Sequence, residues 1–176
     1  MSGHSKWAQI KRQKGAEDAK KSKLFGKLGS LIASEAKRAK GDLSAPGLRT
    51  AIEKAKKENM PKDTIDRAVK KGAGGETEAM ENLTYEAYGP GGCALIIETL
   101  TSNRNKAAQE IKHVLAKNGA TLASQGAASW AFTKSREGWT PNSIVPLSES
   151  DGEILMHIID ELEDLDEVQE VFTNAE

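Results

Sequence analysis

The chain has 176 residues, with one cysteine, 25 Lys and Arg, 26 Asp and Glu, and a formal net charge of −1. A single cysteine excludes an intramolecular disulfide, and no apolar run reaches the roughly 18 residues of a membrane-spanning helix. The N-terminus also lacks the hydrophobic stretch of a secretory signal, so we expect a soluble, cytoplasmic protein that does not enter a membrane.

The small net charge conceals a strong division of charge along the chain. Residues 1–75 contain 19 Lys and Arg against 8 Asp and Glu, whereas the remaining residues contain 6 against 18. Such an asymmetry predicts a segment that binds polyanions, joined to a module of a different kind.

Residues 1–22 are polar and basic, and their only sizeable apolar side chains are Trp7 and Ile10. Three interpretations remain open: a disordered solubilising tail, a strand-like tail that docks through Trp7, and a basic arm that becomes ordered when it binds phosphates. The candidate nucleic-acid contacts of this arm are Lys6, Trp7, Lys11, Arg12, Lys14, Lys20 and Lys21.

Three amphipathic helices are predicted between residues 23 and 72, and we expect them to share one core as a basic helical domain. Apolar side chains recur with helical spacing in residues 23–40, in residues 47–58 and after Pro61. The Met60-Pro61 pair predicts a break before the third helix, because proline disfavours helical geometry in the preceding residue, and Gly72 is expected to end that helix. The cations expected outside the apolar stripes, and predicted to contact nucleic acid, are Lys27, Lys37, Arg38, Lys56, Lys57, Lys62, Arg67, Lys70 and Lys71.

Residues 73–80 are predicted to be a flexible linker, because they are rich in glycine and lie where the charge changes sign. Residues 81–176 are predicted to form an α/β domain. Strands are expected at 83–88 and 93–101, joined by a Gly-Pro-Gly-Gly turn, and followed by a helix that Asn103 or Asn105 caps and that ends at Lys117. The inner face of this helix is predicted to carry Ala108, Ile111, Val114 and Leu115.

The last part of the chain predicts two further strands, a helix and a closing strand. The strands are expected at 128–133, with Trp130 and Phe132 on one side, and at 143–147. Ser148 is expected to cap a helix over residues 149–165, and a last strand follows at 168–173. The order β-β-α-β-β-α-β predicts an α+β sandwich with a mixed or antiparallel sheet and two helices on one face. The predicted fold class is therefore multi-domain, α followed by α/β.

No catalytic constellation is apparent in the sequence. His4, His113 and His157 are isolated from one another and from Cys93, and the latter two histidines are expected to be structural. Cys93 begins a predicted core strand and is expected to be a small buried hydrophobe. We therefore predict no enzymatic activity, no cofactor and no metal site.

Binding of a polyanion is the function for which the sequence offers a mechanism. Lysine and arginine on a helical scaffold neutralise phosphates and release counterions, which yields affinity with little sequence information. The basic half contains only Trp7 and Phe25 as aromatic residues, so base stacking is weakly supported there.

Four collinear blocks of sequence resemble the YebC family. They are GHSKWAQIKRQK, NMPKDTIDRAVKKG, YGPGGCALIIETLTSNRNKAAQEIKHVLAKNG and DELEDLDEVQEVFTNAE. The resemblance implies an N-terminal helical domain followed by α/β domains, no known enzymatic activity and a role in gene expression. The family includes probable transcriptional regulators and a mitochondrial translational activator.

The chain departs from the family pattern in two places. Residues 134–142 stand where members usually carry a third small α/β domain, so we expect a shortened version that lacks most of it. The loop GDLSAPGLR also differs from the family's turn, which we expect to leave the helical bundle intact. The segment TSNRNK matches a family loop, and its Arg104 and Lys106 are the best cationic candidates outside the first domain.

The resulting hypothesis is a regulator of gene expression of the YebC type that binds nucleic acid, as a probable DNA-binding transcriptional regulator. One alternative is a translation factor associated with ribosomal RNA, and in either case the acidic domain could meet a ribosome or protein partner. A second alternative is a protein-interaction adaptor whose basic half docks on an acidic protein surface.

Overall fold

The computed structural model describes residues 18–75 and 77–176. These residues form two compact units, one of residues 18–80 and one of Glu81–Glu176. The predictions for residues 1–17 of the basic arm lie outside the described residues. Among the described residues, no helix combines the length and the apolar composition that crossing a membrane requires.

The first unit consists of three helices, α1 (Asp18–Ala39), α2 (Pro46–Lys57) and α3 (Lys62–Ala73). Their apolar stripes share one core, as predicted. Its buried side chains are Leu28, Ile32, Ala36, Leu48, Ala51, Ala55, Met60 and Ile65. Each helix is amphipathic and contributes only one apolar stripe, so the core is small. The opposite sides of the helices remain polar.

The ends of these helices follow local rules, with two corrections to the prediction. The predicted break is confirmed: Asn59 adopts a positive φ of 63°, the buried Met60 donates its N–H to Ala55, and α3 begins after Pro61. The start of α1 lies five residues before the predicted one, because lysine and alanine are good helix formers even without an apolar stripe. Helix α3 does not end at Gly72, which is buried within it, but at Ala73.

The second unit contains six strands and two helices among its described residues. They are β1 (Glu81–Tyr88), β2 (Ala94–Thr101), α4 (Arg104–Lys117), β3 (Thr121–Ala123), β4 (Phe132–Ser135), β5 (Gly138–Pro141), α5 (Glu149–Asp164) and β6 (Val168–Thr173). Asn103 caps α4 and Ser148 caps α5, each by accepting the N–H three residues on, as predicted.

Four of the strands form one antiparallel sheet in the order β3-β1-β2-β6. Strand β2 lies between β1 and β6, so that Ile97 pairs with Tyr85 on one side and with Val171 on the other. This central position explains its continuous apolar run, since alternate side chains are buried on opposite faces of the sheet. The predicted fold class, with an antiparallel sheet, is confirmed.

Each face of the sheet carries its own core. On one face Leu95 and Ile97 pack with buried side chains of α4 and α5, including Ile111 and Leu155. The opposite face is covered by the β4–β5 hairpin and the turn before it, where the core comprises Ala94, Ile96, Ala128, Ala131, Phe132 and Phe172. The two long helices therefore lie on a single face, as expected.

The prediction of a strand at 128–133 is wrong in its first half. Residues Ser129–Ala131 form a single 3₁₀ turn, and the strand begins at Phe132. The cause is the buried carboxylate of Glu86, which accepts the N–H groups of Gly126, Ala128 and Ser129 at 2.6–2.8 Å. Backbone donors that bind this carboxylate cannot enter a strand ladder, and the chain turns instead.

Three further details of the prediction are corrected. Residues 143–147 form no strand, but a single bridge from Val145 to Ala175, and strands β3 and β5 were not foreseen. In α4 the fully buried alanine is Ala107, whereas Ala108 is only partly buried. Strand β3 is only three residues long, and a strand that short has too little periodic pattern to be recognised from sequence.

Candidate nucleic-acid interface

Helices α2 and α3 present a set of solvent-exposed cations. The six predicted ones all lie on the surface: Lys56, Lys57, Lys62, Arg67, Lys70 and Lys71. Their exposure follows from the spacing of the apolar residues, since Ile65, Ala68 and Val69 turn one side of α3 toward the core and leave the basic side in water.

The electrostatic state of this surface favours an anionic partner. Within the described residues, Lys56, Lys62, Lys70 and Lys71 form no ion pair, while Arg67 makes only long contacts of 3.4 Å within its own helix. Cations without a carboxylate partner retain their attraction for an external anion. We call the six exposed cations of α2 and α3 the basic surface.

The cations predicted on α1 differ in solvent exposure and in hydrogen-bond partners. Lys20 and Lys21 are exposed, but Lys27 is buried, with 8% of its surface accessible, contrary to the expected position outside the apolar stripe. Lys37 donates to the carbonyl oxygen of Thr77, and Arg38 donates to Met80 O at 3.1 Å and to Glu35 at 2.8 Å. Lys37 and Arg38 therefore hold the segment after α3 against α1, a role that the sequence did not reveal.

The two cations predicted in the second unit are engaged by carboxylates. Arg104 forms an ion pair with Glu81 at 2.9 Å, and Lys106 forms one with Glu167 at 2.9 Å. Hydrogen bonds to these carboxylates raise the pKa of both Arg104 and Lys106. An incoming phosphate would have to displace a carboxylate at either position, so neither belongs with the basic surface.

The remaining predicted site residues, Lys6, Trp7, Lys11, Arg12 and Lys14, lie outside the described residues. Their contribution to binding stays a prediction.

Trp130, which was predicted to lie on the same side of a strand as Phe132, does not share its environment. Trp130 has 66% of its surface accessible, while its predicted neighbour Phe132 is buried. In a strand, residues 130 and 132 would point to the same side. Residues Ser129–Ala131 form a 3₁₀ turn instead, so this alternation does not apply to Trp130. The cations that follow it, Lys134 and Arg136, are also exposed.

The two histidines among the described residues, His113 and His157, lie on α4 and α5. His113 and His157, which were expected to be structural, are both exposed. His157 contacts Glu161 at 2.7 Å on the same helix. Within residues 18–75 and 77–176, no group of three or more His, Cys, Asp or Glu side chains is arranged to hold a metal ion.

Cys93 is fully buried, as predicted, and burial raises the pKa of its thiol to about 11. Because the thiolate is the reactive form, we expect iodoacetamide at pH 8 to leave the folded protein unmodified and to alkylate one cysteine after denaturation in urea. Intact-mass measurement of both samples checks this. Rapid modification of the native protein would contradict the burial of the thiol.

Comparison with known proteins places the chain in a family. A sequence model of the TACO1/YebC protein N-terminal domain matches residues 5–75, and one of the TACO1/YebC second and third domain matches residues 80–138. A probable transcriptional regulatory protein of Legionella pneumophila (strain Corby) is 36% identical, in an alignment that covers 100% of this chain and 96% of that protein. The chain belongs to the TACO1/YebC family.

Two further proteins are similar to this chain, one in sequence and one in structure. A probable transcriptional regulatory protein of Petrotoga mobilis is 48% identical over 169 residues, which cover 95% of this chain and 66% of that protein. The chain thus spans about two thirds of that relative's length. The crystal structure of a conserved hypothetical protein from Aquifex aeolicus is 30% identical, with a TM-score of 0.76 over 90% of this chain and 91% of that one. The resemblance to the YebC family is therefore confirmed.

Proposed function

We propose that this TACO1/YebC protein is a regulator of gene expression that binds nucleic acid through the basic surface of α2 and α3. The names of its relatives, probable transcriptional regulatory proteins, support the regulatory role. The role requires no catalytic group, and the proposal includes none.

The observation that carries the proposal is the contrast between four exposed lysines of α2 and α3 and three cations of α4. On α2 and α3, Lys56, Lys62, Lys70 and Lys71 are exposed and form no ion pair with described residues. In the second unit, Arg104, Lys106 and Lys117 each contact a carboxylate within 3 Å. Nucleic-acid affinity comes largely from neutralising phosphates, which the first set can do without losing an existing partner.

The chemistry of α3 favours contacts to the backbone of a nucleic acid over recognition of base edges. Its exposed side chains are mainly lysine, with Arg67 and with Asp63 and Asp66 among them, and include neither asparagine nor glutamine. Bidentate base recognition commonly uses Arg, Asn or Gln in a groove, whereas lysines act as point charges. Such a surface suits binding that tolerates sequence, to promoter DNA or, in the alternative, to ribosomal RNA.

Charge reversal on the basic surface should abolish binding. We expect Lys56→Glu, Lys57→Glu, Lys70→Glu and Lys71→Glu together to reduce the affinity for duplex DNA and for RNA by at least about 100-fold in dilute buffer. Each lost phosphate contact also lowers the slope of log affinity against log salt, by about 0.9 on duplex DNA. Fluorescence anisotropy at several salt concentrations measures both quantities.

The matched control changes the same four lysines to arginine, which retains the charge and should retain most of the affinity. Circular dichroism should show unchanged helical content in both variants, since all four positions are exposed. Unimpaired binding by the glutamate variant would remove the proposed surface.

Sedimentation of a lysate with and without RNase discriminates the alternatives. Salt-sensitive co-migration with ribosomes supports the translational role, and separate sedimentation with retention on specific duplex DNA supports transcription. A stoichiometric protein complex that survives nuclease would favour the adaptor function, in which an acidic protein replaces the nucleic acid.

We also propose that the family's third domain is largely absent at residues 134–142. The alignment with the Legionella protein runs over 237 positions and includes all of the 176-residue chain, so that protein holds internal segments without a counterpart here. The match to the second and third domain ends at residue 138, inside the β4–β5 hairpin. Any activity that resides in the third domain is then not part of this chain's function.

A further inference from the structure

Trp130 combines an exposed ring with a fixed orientation. Its indole N–H donates to the carbonyl oxygen of Ala127 at 2.9 Å and to the hydroxyl oxygen of Tyr88 at 3.2 Å. The Tyr88 hydroxyl in turn donates to the same carbonyl oxygen. The single polar atom of the indole is thus satisfied within the protein, and what remains exposed is the aromatic surface.

The loop that carries Trp130 is itself anchored. The carboxylate of Glu86, which is 4% exposed, accepts the N–H of Ser129, the residue directly before the tryptophan, at 2.6 Å. Hydrogen bonds therefore fix both the indole ring of Trp130 and the backbone of the preceding residue. A ring fixed in this way loses little conformational entropy when a flat partner stacks on it.

Cations follow the tryptophan along the chain. Lys134 lies 5.2 Å from the centre of the Trp139 ring, and Arg136 stands at the tip of the β4–β5 hairpin. Neither forms an ion pair with a described residue, unlike Arg104 and Lys106 of the same unit. Four residues of extended chain reach at most about 14 Å, so Lys134 lies within a few nucleotide lengths of Trp130.

We propose that Trp130 is a stacking platform for an unpaired base of single-stranded nucleic acid, with Lys134 and Arg136 contacting its phosphates. Single-strand binding combines aromatic rings with cations, because every base offers a π face and every nucleotide carries a phosphate. A duplex hides those faces within its own stack. The inference rests on the proposed function and deepens it, since it assigns a base contact to the unit that lacks the basic surface.

The test separates stacking from charge by the choice of variant and probe. Trp130→Leu removes the aromatic ring but keeps an apolar side chain, and Trp130→Phe keeps a ring. The probes are a single-stranded oligoadenylate of about 12 nucleotides and heparin, a polyanion without bases. We expect Trp130→Leu to weaken oligoadenylate binding about 5- to 100-fold, Trp130→Phe to weaken it less, and heparin binding to remain unchanged in both.

Each contrary result has a defined meaning. Equal oligoadenylate binding by wild type and Trp130→Leu overturns the stacking inference alone, as does a parallel loss of heparin binding. Loss of an RNase-resistant protein partner, with oligoadenylate binding unchanged, would make Trp130 a protein-docking residue instead. If the wild-type protein binds neither probe, the proposed function fails together with the inference.

Discussion

Replacing Gly72 with alanine should destabilise the helical unit by about 1–3 kcal/mol, the cost typical of a side chain forced into a packed site. A Cβ atom on Gly72 would lie 2.1 Å from the carbonyl oxygen of Ala33 and 2.8 Å from the Cβ of Ala36, both on α1. Backbone cannot yield to such an overlap as a flexible side chain can, so α1 and α3 must separate. Urea denaturation followed by far-UV circular dichroism measures the loss.

The same substitution at Gly26 is the matched control. Gly26 is exposed in α1, and no atom lies within 4 Å of the position its Cβ would occupy. Gly26→Ala should therefore raise the free energy of unfolding, by about 0.5–1 kcal/mol, because alanine is the better helix former. Equal stability of the two variants would show that α1 and α3 do not approach each other this closely.

Replacing Glu86 with glutamine should lower the free energy of unfolding of the α/β unit by about 1.5–3 kcal/mol at neutral pH. Its carboxylate accepts three backbone N–H groups in a site that is 4% exposed. The side-chain amide of glutamine places an NH₂ group where a carboxylate oxygen stood. At least one of the backbone N–H groups then loses its acceptor. Glu153→Gln on the exposed side of α5 is the control, and should change stability by no more than about 0.5 kcal/mol.

The contribution of Glu86 should also depend on pH with a definite sign. Burial alone would raise the pKa of Glu86, but the N–H groups of Gly126, Ala128 and Ser129 outweigh it and hold the pKa below the ordinary 4.5. A carboxylate whose pKa is lower in the folded protein than in the unfolded chain stabilises the protein at pH values above its unfolded-state pKa. This stabilisation is lost as the pH falls through the folded-state pKa. The difference in urea midpoint between wild type and Glu86→Gln should thus narrow below about pH 4.5, and a constant difference would contradict the role of the charge.

Much of the fold was predictable because its signals are local. The helical spacing around Ile65, the Met60-Pro61 break and the Ser148 cap each act within a few residues, and each predicted the element that forms. The apolar run of β2 identified a strand buried on both faces. The exposure of the basic surface followed from the same periodicity.

The candidate site was harder to predict, because charges find partners that are distant in sequence. Arg104 pairs with a carboxylate 23 residues away, and Lys106 with one 61 residues away. Arg38 reaches the carbonyl oxygen of a residue 42 positions along the chain. A count of lysines and arginines treats all of these as equivalent to Lys70, although only some remain available to an anion.

Periodicity and turn chemistry alone were sufficient for the helical first unit, for an α/β second unit with a mixed or antiparallel sheet, and for the basic character of α2 and α3. Folding in three dimensions decided which cations are already neutralised, why Gly72 must be glycine and why Trp130 faces water. The reason is that backbone preferences depend on neighbouring residues, whereas the Glu86 carboxylate accepts hydrogen bonds from a loop some 40 residues away in sequence. Only the packed chain brings those groups together.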